Sequence, residues 1–572
     1  MRVNPHHRLG APRPYEAGGE QIGTVVLALD DRLNLKDAGG WPLSGEFHNG
    51  TIAEMADDCL GLFPPFEKVE GTPFAGAAAR NPGLLAESFH LAEAGHGAGP
   101  KVLAQLFERC LRIGGKVPED EQCVHATTIL RAHLPPGYAS MDWQPVYAEA
   151  LDIFVRYLQI DTSNPPGREA PAARFLGSLL EAEGIECEYI EIQPEREAVV
   201  ARIRGDGSKR PLMLCNHTDV VPVESQYWTY PAFEGQVEDG RVYGRGAVDM
   251  KGCGVMQLMT FLLLWRNKVP LTRDVVFLAV PDEEAGSVWG MEWLCKNRPD
   301  LMDVEFELSE GGGGASSFAG QPTRLFSVAT NEKEVCWLKL TAVGTPGHGS
   351  RPHEDNSAVR LMEALLKLHA MERPFTWTPD TTAYAKNLAD AGLLPAFDDR
   401  ASIEAHIRKS PELLAMFTNT LNITMLNSGI KANVIPAKSE AVIDCRLLPG
   451  QTKEAWIEHL RNVINDENVE IELYLQDQGA NEPVEWDTEL YRTIHAVITD
   501  AMEDAIVTPT MTVGGTDNRF LRTQGIPAYG FIPCLLSREE RAGFHGNDEF
   551  LTLDNLNMGT ELMYEIVHRF CT

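Results

Sequence analysis

Several groups that bind metals or move protons stand directly after apolar runs. His217 and Asp219 follow Pro-Leu-Met-Leu-Cys, Glu283 and Glu284 follow Val-Val-Phe-Leu-Ala-Val-Pro, and Glu310 follows Val-Glu-Phe-Glu-Leu-Ser. Asp249 lies just before an apolar helix pattern in YGRGAVDMKG, and His545 sits near the end in GFHGNDE. Taken singly, such a His is a hydrogen-bonded loop residue, a Glu pair is surface charge and an Asp before a helix is its cap. Together they are the oxygen and nitrogen donors that zinc-like ions take. Carboxylates crowded at one edge repel one another unless cations neutralise them. A spare Glu beside a ligand Glu is placed to serve as base toward a water.

The elements that must position these groups alternate. A helix begins after Asp142, with Tyr147, Leu151, Phe154 and Leu158 on one face. The loop DTSNPPG precedes a second helix carrying Phe175, Leu176, Leu179 and Leu180, stopped by Gly184. Strands are expected at 186–192, 198–204 and 211–216, then a helix over 250–266 and strands at 274–280 and 303–308. Strands alternating with helices predict an α/β sheet covered on both faces, whose ligands bind beyond the carboxyl ends of the strands. From 334 the rhythm changes to strand, helix, a long irregular insertion (372–420), two strands, helix, strand. That β-α-β-β-α-β order predicts a ferredoxin-like α+β lid. The expected division is an N-terminal module over 1–137, a catalytic domain in two parts (141–333 and 480–572) and an inserted lid or dimerisation domain over 334–479.

The motifs HTDVVPV, YGRGAVDMKG, PDEEAG, LSEGG, GTPGHGSRP, NVIPAKSEAVIDCRLLPG and FHGNDE occur in this order. In this set the chain resembles the M20 family of dizinc aminoacylases and carboxypeptidases, from about Asp142 to the end. The resemblance implies a dizinc exopeptidase-like fold and hydrolysis of an amide next to a free carboxylate, in an N-acyl amino acid or a peptide. It implies two divalent ions, zinc by default, with cobalt or manganese able to take the same ligands. Asp249 would bridge them, His217 and Glu310 would hold one, and Glu284 and His545 the other. Glu283 would be the general base, and Asp219 would accept the second ring N–H of His217. His348 would donate to the oxyanion, often across a dimer interface in relatives; the family more often reads His-Ser-Ser where this chain has His348-Gly349-Ser350. Asn433 and Arg446 would hold the substrate carboxylate, which suits the planar fork of arginine, with Gly515 and Thr516 lining the same pocket. Arg446 paired only with a neighbouring acid is the competing reading.

Residues 1–137 lie outside that pattern. The segment GEFHNGTIAEMADDCLG resembles the turn and helix of a hot-dog thioesterase, with His48 and Asp57 nine positions apart. Asn49 stands where a glycine is usual, and the Gly-, Ala- and Pro-rich span 63–99 favours a structural module over an active one.

Bulk properties narrow the classes. The chain has 572 residues, 44% of them hydrophobic, and 50 basic against 82 acidic residues give a net charge of −32. That surface repels phosphate backbones and anionic lipid, which argues against nucleic-acid and membrane partners. No apolar run reaches the ~18 residues of a membrane span. The N-terminal stretch MRVNPHHRLGAPRPYE lacks the apolar core of a secretory signal. The eleven cysteines are scattered without a CxxC pair, as expected for reduced thiols in a cytoplasm.

Overall fold

The computed structural model describes residues 141–474 and 483–572, all within the second of the two units into which the chain divides, Pro118–Thr572. The hot-dog reading, with His48 and Asp57, lies outside the described residues. The described residues open with α1 (Trp143–Leu158), capped by the Asp142 side chain on the Gln144 N–H; Tyr147, Phe154 and Leu158 are buried, as their spacing predicts. Next come α2 (Ala170–Ala182), β1 (Cys187–Gln193), β2 (Arg196–Ile203), β3 (Leu212–His217) and a small pair, β4 (Gln236–Glu238) and β5 (Arg241–Tyr243). The helix α3 (Lys251–Arg266) is buried through its first fourteen residues, so it runs through the core rather than over it. It is followed by β6 (Val275–Val280), α4 (Met291–Asn297), β7 (Phe306–Phe318) and β8 (Gln321–Glu332).

The lid begins with β9 (Glu334–Val343), the short β10 (Gly347–His348) and α5 (Ser357–Ala370). The stretch read as irregular from sequence instead contains three helices, α6 (Pro379–Asp390), α7 (Arg400–Ile407) and α8 (Pro411–Ala415), each capped by a Thr, Asp or Ser side chain. The lid resumes with β11 (Thr420–Ser428), β12 (Val434–Ile435), β13 (Lys438–Leu447), α9 (Lys453–Ile464) and β14 (Val469–Leu473). The chain ends with α10 (Glu489–Ala501), β15 (Ile506–Thr512), α11 (Asn518–Arg522), β16 (Ala528–Leu536), α12 (Arg538–Ala542), β17 (Phe550–Thr552) and α13 (Leu553–Cys571).

Eight strands form one mixed sheet in the order β1-β2-β6-β3-β7-β16-β8-β15. Its central strands are buried on both faces because successive side chains point to opposite sides. Leu212, Leu214, Val275 and Phe277 join a core on one face, and Met213, Cys215, Val276 and Leu278 a core on the other. The lid strands pair in the order β11-β13-β9-β14, all antiparallel, which is the ferredoxin-like arrangement. The three insertion helices do not join the lid core. They share a cluster with Leu325 and Ile506 of β8 and β15, on the edge of the large sheet. Among the described residues no helix is long and apolar enough to cross a membrane.

Candidate metal centre

The parallel pairing of β3 with β6 and β7 brings three chain segments to one sheet edge. His217 is the last residue of β3, and Glu283 and Glu284 form a short turn just beyond β6. Glu310 lies within β7 rather than after its end, because the strand continues through a glycine run to Phe318. Asp249 precedes α3, and His545 arrives from the loop after α12. The His217 Nε2 lies 3.1 Å from Asp249 Oδ1 and 3.5 Å from Glu310 Oε1. The His545 Nε2 lies 3.2 Å from Asp249 Oδ2 and 3.2 Å from Glu284 Oε2. Each oxygen of Asp249 therefore faces a different histidine. His217, Glu283 and Glu310 can place donor atoms within 4.8 Å of one another, as can His217, Asp249 and Glu284.

Buried partners hold these groups in place. The Asp219 carboxylate accepts the main-chain N–H groups of Glu283 (3.1 Å) and Glu284 (3.0 Å) and the Asn164 amide (2.9 Å). Its expected bond to His217 is made differently: the ring Nδ1 lies 2.9 Å from the Asp219 main-chain carbonyl and 3.6 Å from the carboxylate. The carboxylate is turned toward the Glu283–Glu284 turn, whose two N–H groups lack strand partners there. Asn164 also donates to Asp282 (3.0 Å), and Arg196 pairs with Asp282 and with Glu169. Glu549 anchors the other side. It accepts N–H groups of Gly246 (3.0 Å), Val248 (2.7 Å) and Asp249 (3.1 Å), and pairs with buried Arg245 at 2.8 Å. Sequence reasoning passed over Asn164, Arg196 and Glu549. A signal existed for Glu549, the last acid of FHGNDE, and for Asn164 inside DTSNPPG.

Burial and neighbouring charge set the electrostatics of the cluster. Burial, reinforced by the Glu310 carboxylate, pushes Glu283 well above the ordinary range. Burial and neighbouring Asp249 push Glu310 up to about 7, and burial raises Glu284 as well. Burial opposes protonation of His217, yet Glu310, Asp219 and Asp249 carry it well above its usual value. Hydrogen bonds to Asp249 and Glu284 raise His545 to about 10. Burial works against ionisation of Asp249, but the two histidines hold it below the carboxylate range. Raised carboxyls beside raised imidazoles mark a cluster in which buried negative charge calls for positive charge nearby. In addition, the buried Glu284 Oε1 has no hydrogen-bond partner. Unpartnered carboxylate oxygen, two imidazoles and a shared Asp fit a pair of divalent cations better than a proton network.

A cavity of about 1220 Å³ opens on the cluster and is lined by Asp249, Glu283, Glu284, Glu310 and His545. Gly515, Thr516 and Arg446 line it too. The Arg446 Nε and Nη2 pair with Asp444 at 2.7 and 3.2 Å, so the competing reading holds for those two atoms, and Nη1 is left over. His348 and Asn433 do not line the cavity. Both are exposed on the lid, where His348 pairs with Val434 and Gly349 donates to the Asn433 carbonyl. A Cβ at position 349 would lie 3.3 Å from the Asn433 main chain, a tight approach that glycine relieves. The Ser350 hydroxyl and N–H both meet the His348 Nδ1.

The profile of peptidase family M20/M25/M40 matches residues 213–569. The chain belongs to this family. Aminoacylase-1 of Sus scrofa is 29% identical over 397 residues, 67% of this chain and 86% of that protein. An N-fatty-acyl-amino acid synthase/hydrolase of Xenopus tropicalis is 29% identical over 380 residues, 63% of this chain and 73% of that protein. Two solved structures share the fold of this M20 chain. An M20 family metallo-carboxypeptidase from Sulfolobus solfataricus matches with TM-score 0.57 and 18% identity, over 75% of this chain and 99% of its own. Human carnosine dipeptidase 1 matches with TM-score 0.54 and 15% identity, over 78% and 98%. This M20 chain is a hydrolytic enzyme.

Proposed function

We propose that the enzyme uses two divalent cations to hydrolyse an amide bond adjacent to a free carboxylate, in an N-acyl amino acid or a short peptide. The observation that carries this reading is Asp249, whose two carboxylate oxygens face His217 and His545 separately. His217, Glu310 and Asp249 would hold one cation; Asp249, Glu284 and His545 the other. The donors suit zinc, and cobalt or manganese could take the same places. Bound there, the cations supply Lewis acidity, polarising the amide carbonyl and lowering the pKa of the attacking water.

The chain's own residues do the rest. Glu283 takes a proton from the attacking water and delivers it to the leaving amine nitrogen, which needs a carboxyl that both holds and releases a proton. Its position in a turn fixed through Asp219 and Asn164 keeps that carboxyl at the reacting atoms. The free Nη1 of Arg446 meets the substrate carboxylate, while Gly515 and Thr516 shape the wall beside it; Asn433 would join them on lid closure.

His348 would stabilise the tetrahedral oxyanion. Since it is exposed and outside its own chain's cavity, we infer that it serves the site of a second copy. The lid offers an interface: the edge strand β11 and the helix α5 expose Leu426 (66%), Leu366 (65%) and Met425 (56%), and Ile430 follows at 97%. An unpaired strand edge with apolar side chains is a surface that natural proteins cover. The eight cysteines among the described residues are free thiols, which supports a reducing, cytoplasmic setting.

Two experiments test the reading. N-acyl amino acids, dipeptides and their carboxyl-blocked analogues are incubated with the metal-analysed full-length protein and with Glu283→Gln. Cleavage of the free acids by the wild type alone supports the proposal; equal turnover by the variant sinks it. Mixing the weakened His348→Ala with inactive Glu283→Gln should raise activity well above that of either variant alone if the histidine acts across a dimer. No recovery in mixed dimers would exclude that.

A further inference from the structure

The cavity does not end at the cluster. Its volume of about 1220 Å³ exceeds the roughly 300–1,000 Å³ that encloses most small ligands, so one amino acid and a small acyl group leave much of it unfilled. One arm reaches Val335, Trp337 and Arg446 on the lid side. The other leaves Glu310 along the glycine run 311–314 of β7. A Cβ at Gly312 would lie 2.4 Å from the Ser327 carbonyl and one at Gly314 2.3 Å from the Cys534 carbonyl. The close approach of β8 and β16 therefore excludes side chains here, and the floor beside Glu310 is bare main chain.

Past that floor the buried wall is apolar. It is made by Leu325 of β8, Tyr384 of α6, and Ile532 and Leu536 of β16, all at 5% exposure or less, with half-buried Leu413 of α8 closing the side. Of the polar side chains that line the cavity on this side, Lys409, Glu412 and Arg541 are exposed at its rim, and His406, Ser317 and Ser410 are half-buried; none of the half-buried three is a carboxylate. A peptide's charged amino terminus would lose its water in this arm without a buried carboxylate beyond the cluster to replace it. A methylene chain would lose nothing polar and would lie flat on the glycine floor. The insertion helices, which left the lid core to pack on β8 and β15, supply Tyr384 and Leu413 for this purpose.

Building on the hydrolase reading, we propose that this arm holds a medium- to long-chain fatty acyl group, making long N-acyl amino acids the preferred substrates. Apolar burial favours each added methylene by up to about fourfold. The test uses the metal-loaded full-length enzyme and N-acyl derivatives of one amino acid with two, six, ten and fourteen acyl carbons, beside a dipeptide. The kcat/KM should climb at least a hundredfold from two to ten carbons, and Leu413→Asp should cut the fourteen-to-two-carbon ratio tenfold or more. An acetyl or dipeptide substrate cleaved as well as the ten-carbon one, or a ratio unmoved by Leu413→Asp, overturns the inference.

A second readout needs no turnover: displacement of a fluorescent fatty acid by myristate. Binding that weakens in Leu413→Asp, with no amide cleaved, would keep the acyl arm and reject the hydrolase reading. Acetyl cleavage with no fatty-acid binding would reject the acyl arm and keep the hydrolase.

Discussion

The cluster at the end of the large sheet and the short ladder of β10 and β12 on the lid carry motifs of equal prominence in the sequence, yet they are held in opposite ways. At the cluster, Asp219 and Glu549 are fully buried and between them accept five main-chain N–H groups from the turns bearing Glu283, Glu284 and Asp249. On the lid, His348 stands on a two-residue ladder, exposed, with only its neighbour Ser350 on its ring. Rigid anchoring suits groups that must meet developing charge without reorganising. A group that completes the site only on closure or assembly is carried by a weakly held element.

Substitutions at the two places should separate accordingly. The largest effect is expected for Glu283→Gln, whose kcat should fall about a thousandfold or more while metal content by mass spectrometry stays at the wild-type level; a large loss of metal would make Glu283 a ligand instead. Glu549→Ala leaves Arg245 buried without its acid and three N–H groups without an acceptor. It should cost about 3–5 kcal/mol in urea unfolding, and a cost under about 1 kcal/mol would show that the cluster is not held from this side. His348→Ala should lower kcat about a hundredfold with unfolding unchanged; a fall in stability matching that of Glu549→Ala would erase the contrast.

The smallest effect sharpens the comparison from beneath the cluster, where Glu307 is buried with no hydrogen-bond partner beyond the Cys215 thiol. Burial, with Asp517 adding to it, pushes Glu307 up to about 8, against about 4.3 in an unfolded chain. Between those values the folded chain keeps a proton that the unfolded chain has lost, so this group's contribution to stability falls as pH rises. Glu307→Gln removes that slope. Relative to wild type it should gain on the order of 2 kcal/mol between pH 5 and about pH 6.5. Parallel stability curves for the two proteins would show that Glu307 is ionised in the fold.

Much of this was legible because it is local. The 3.6-residue spacing of Tyr147, Phe154 and Leu158, the two-faced burial of β3 and β6, and the order of elements in the lid all follow from side-chain direction along a few turns or strand residues. Acidic and imidazole residues at strand ends are local too, which is why His217, Asp249, Glu283, Glu284, Glu310 and His545 were found together. The insertion was not readable, since the sequence of α6 to α8 carries short helices whose apolar faces mean nothing until β8 and β15 are there to cover them.

The sequence by itself determined which residue types could do the chemistry and which elements carry them. Tertiary structure alone decided how they meet. The Gly246 N–H bonds to Glu549 across 303 residues, Asp282 to Asn164 across 118, and Asp249 turns one oxygen to each histidine. It also turned Asp219 from His217 toward the Glu283 turn, set His348 outside its own cavity, and joined the insertion helices to a glycine floor. Each depends on partners far apart in the chain, and no local period encodes which distant backbone will need a hydrogen bond.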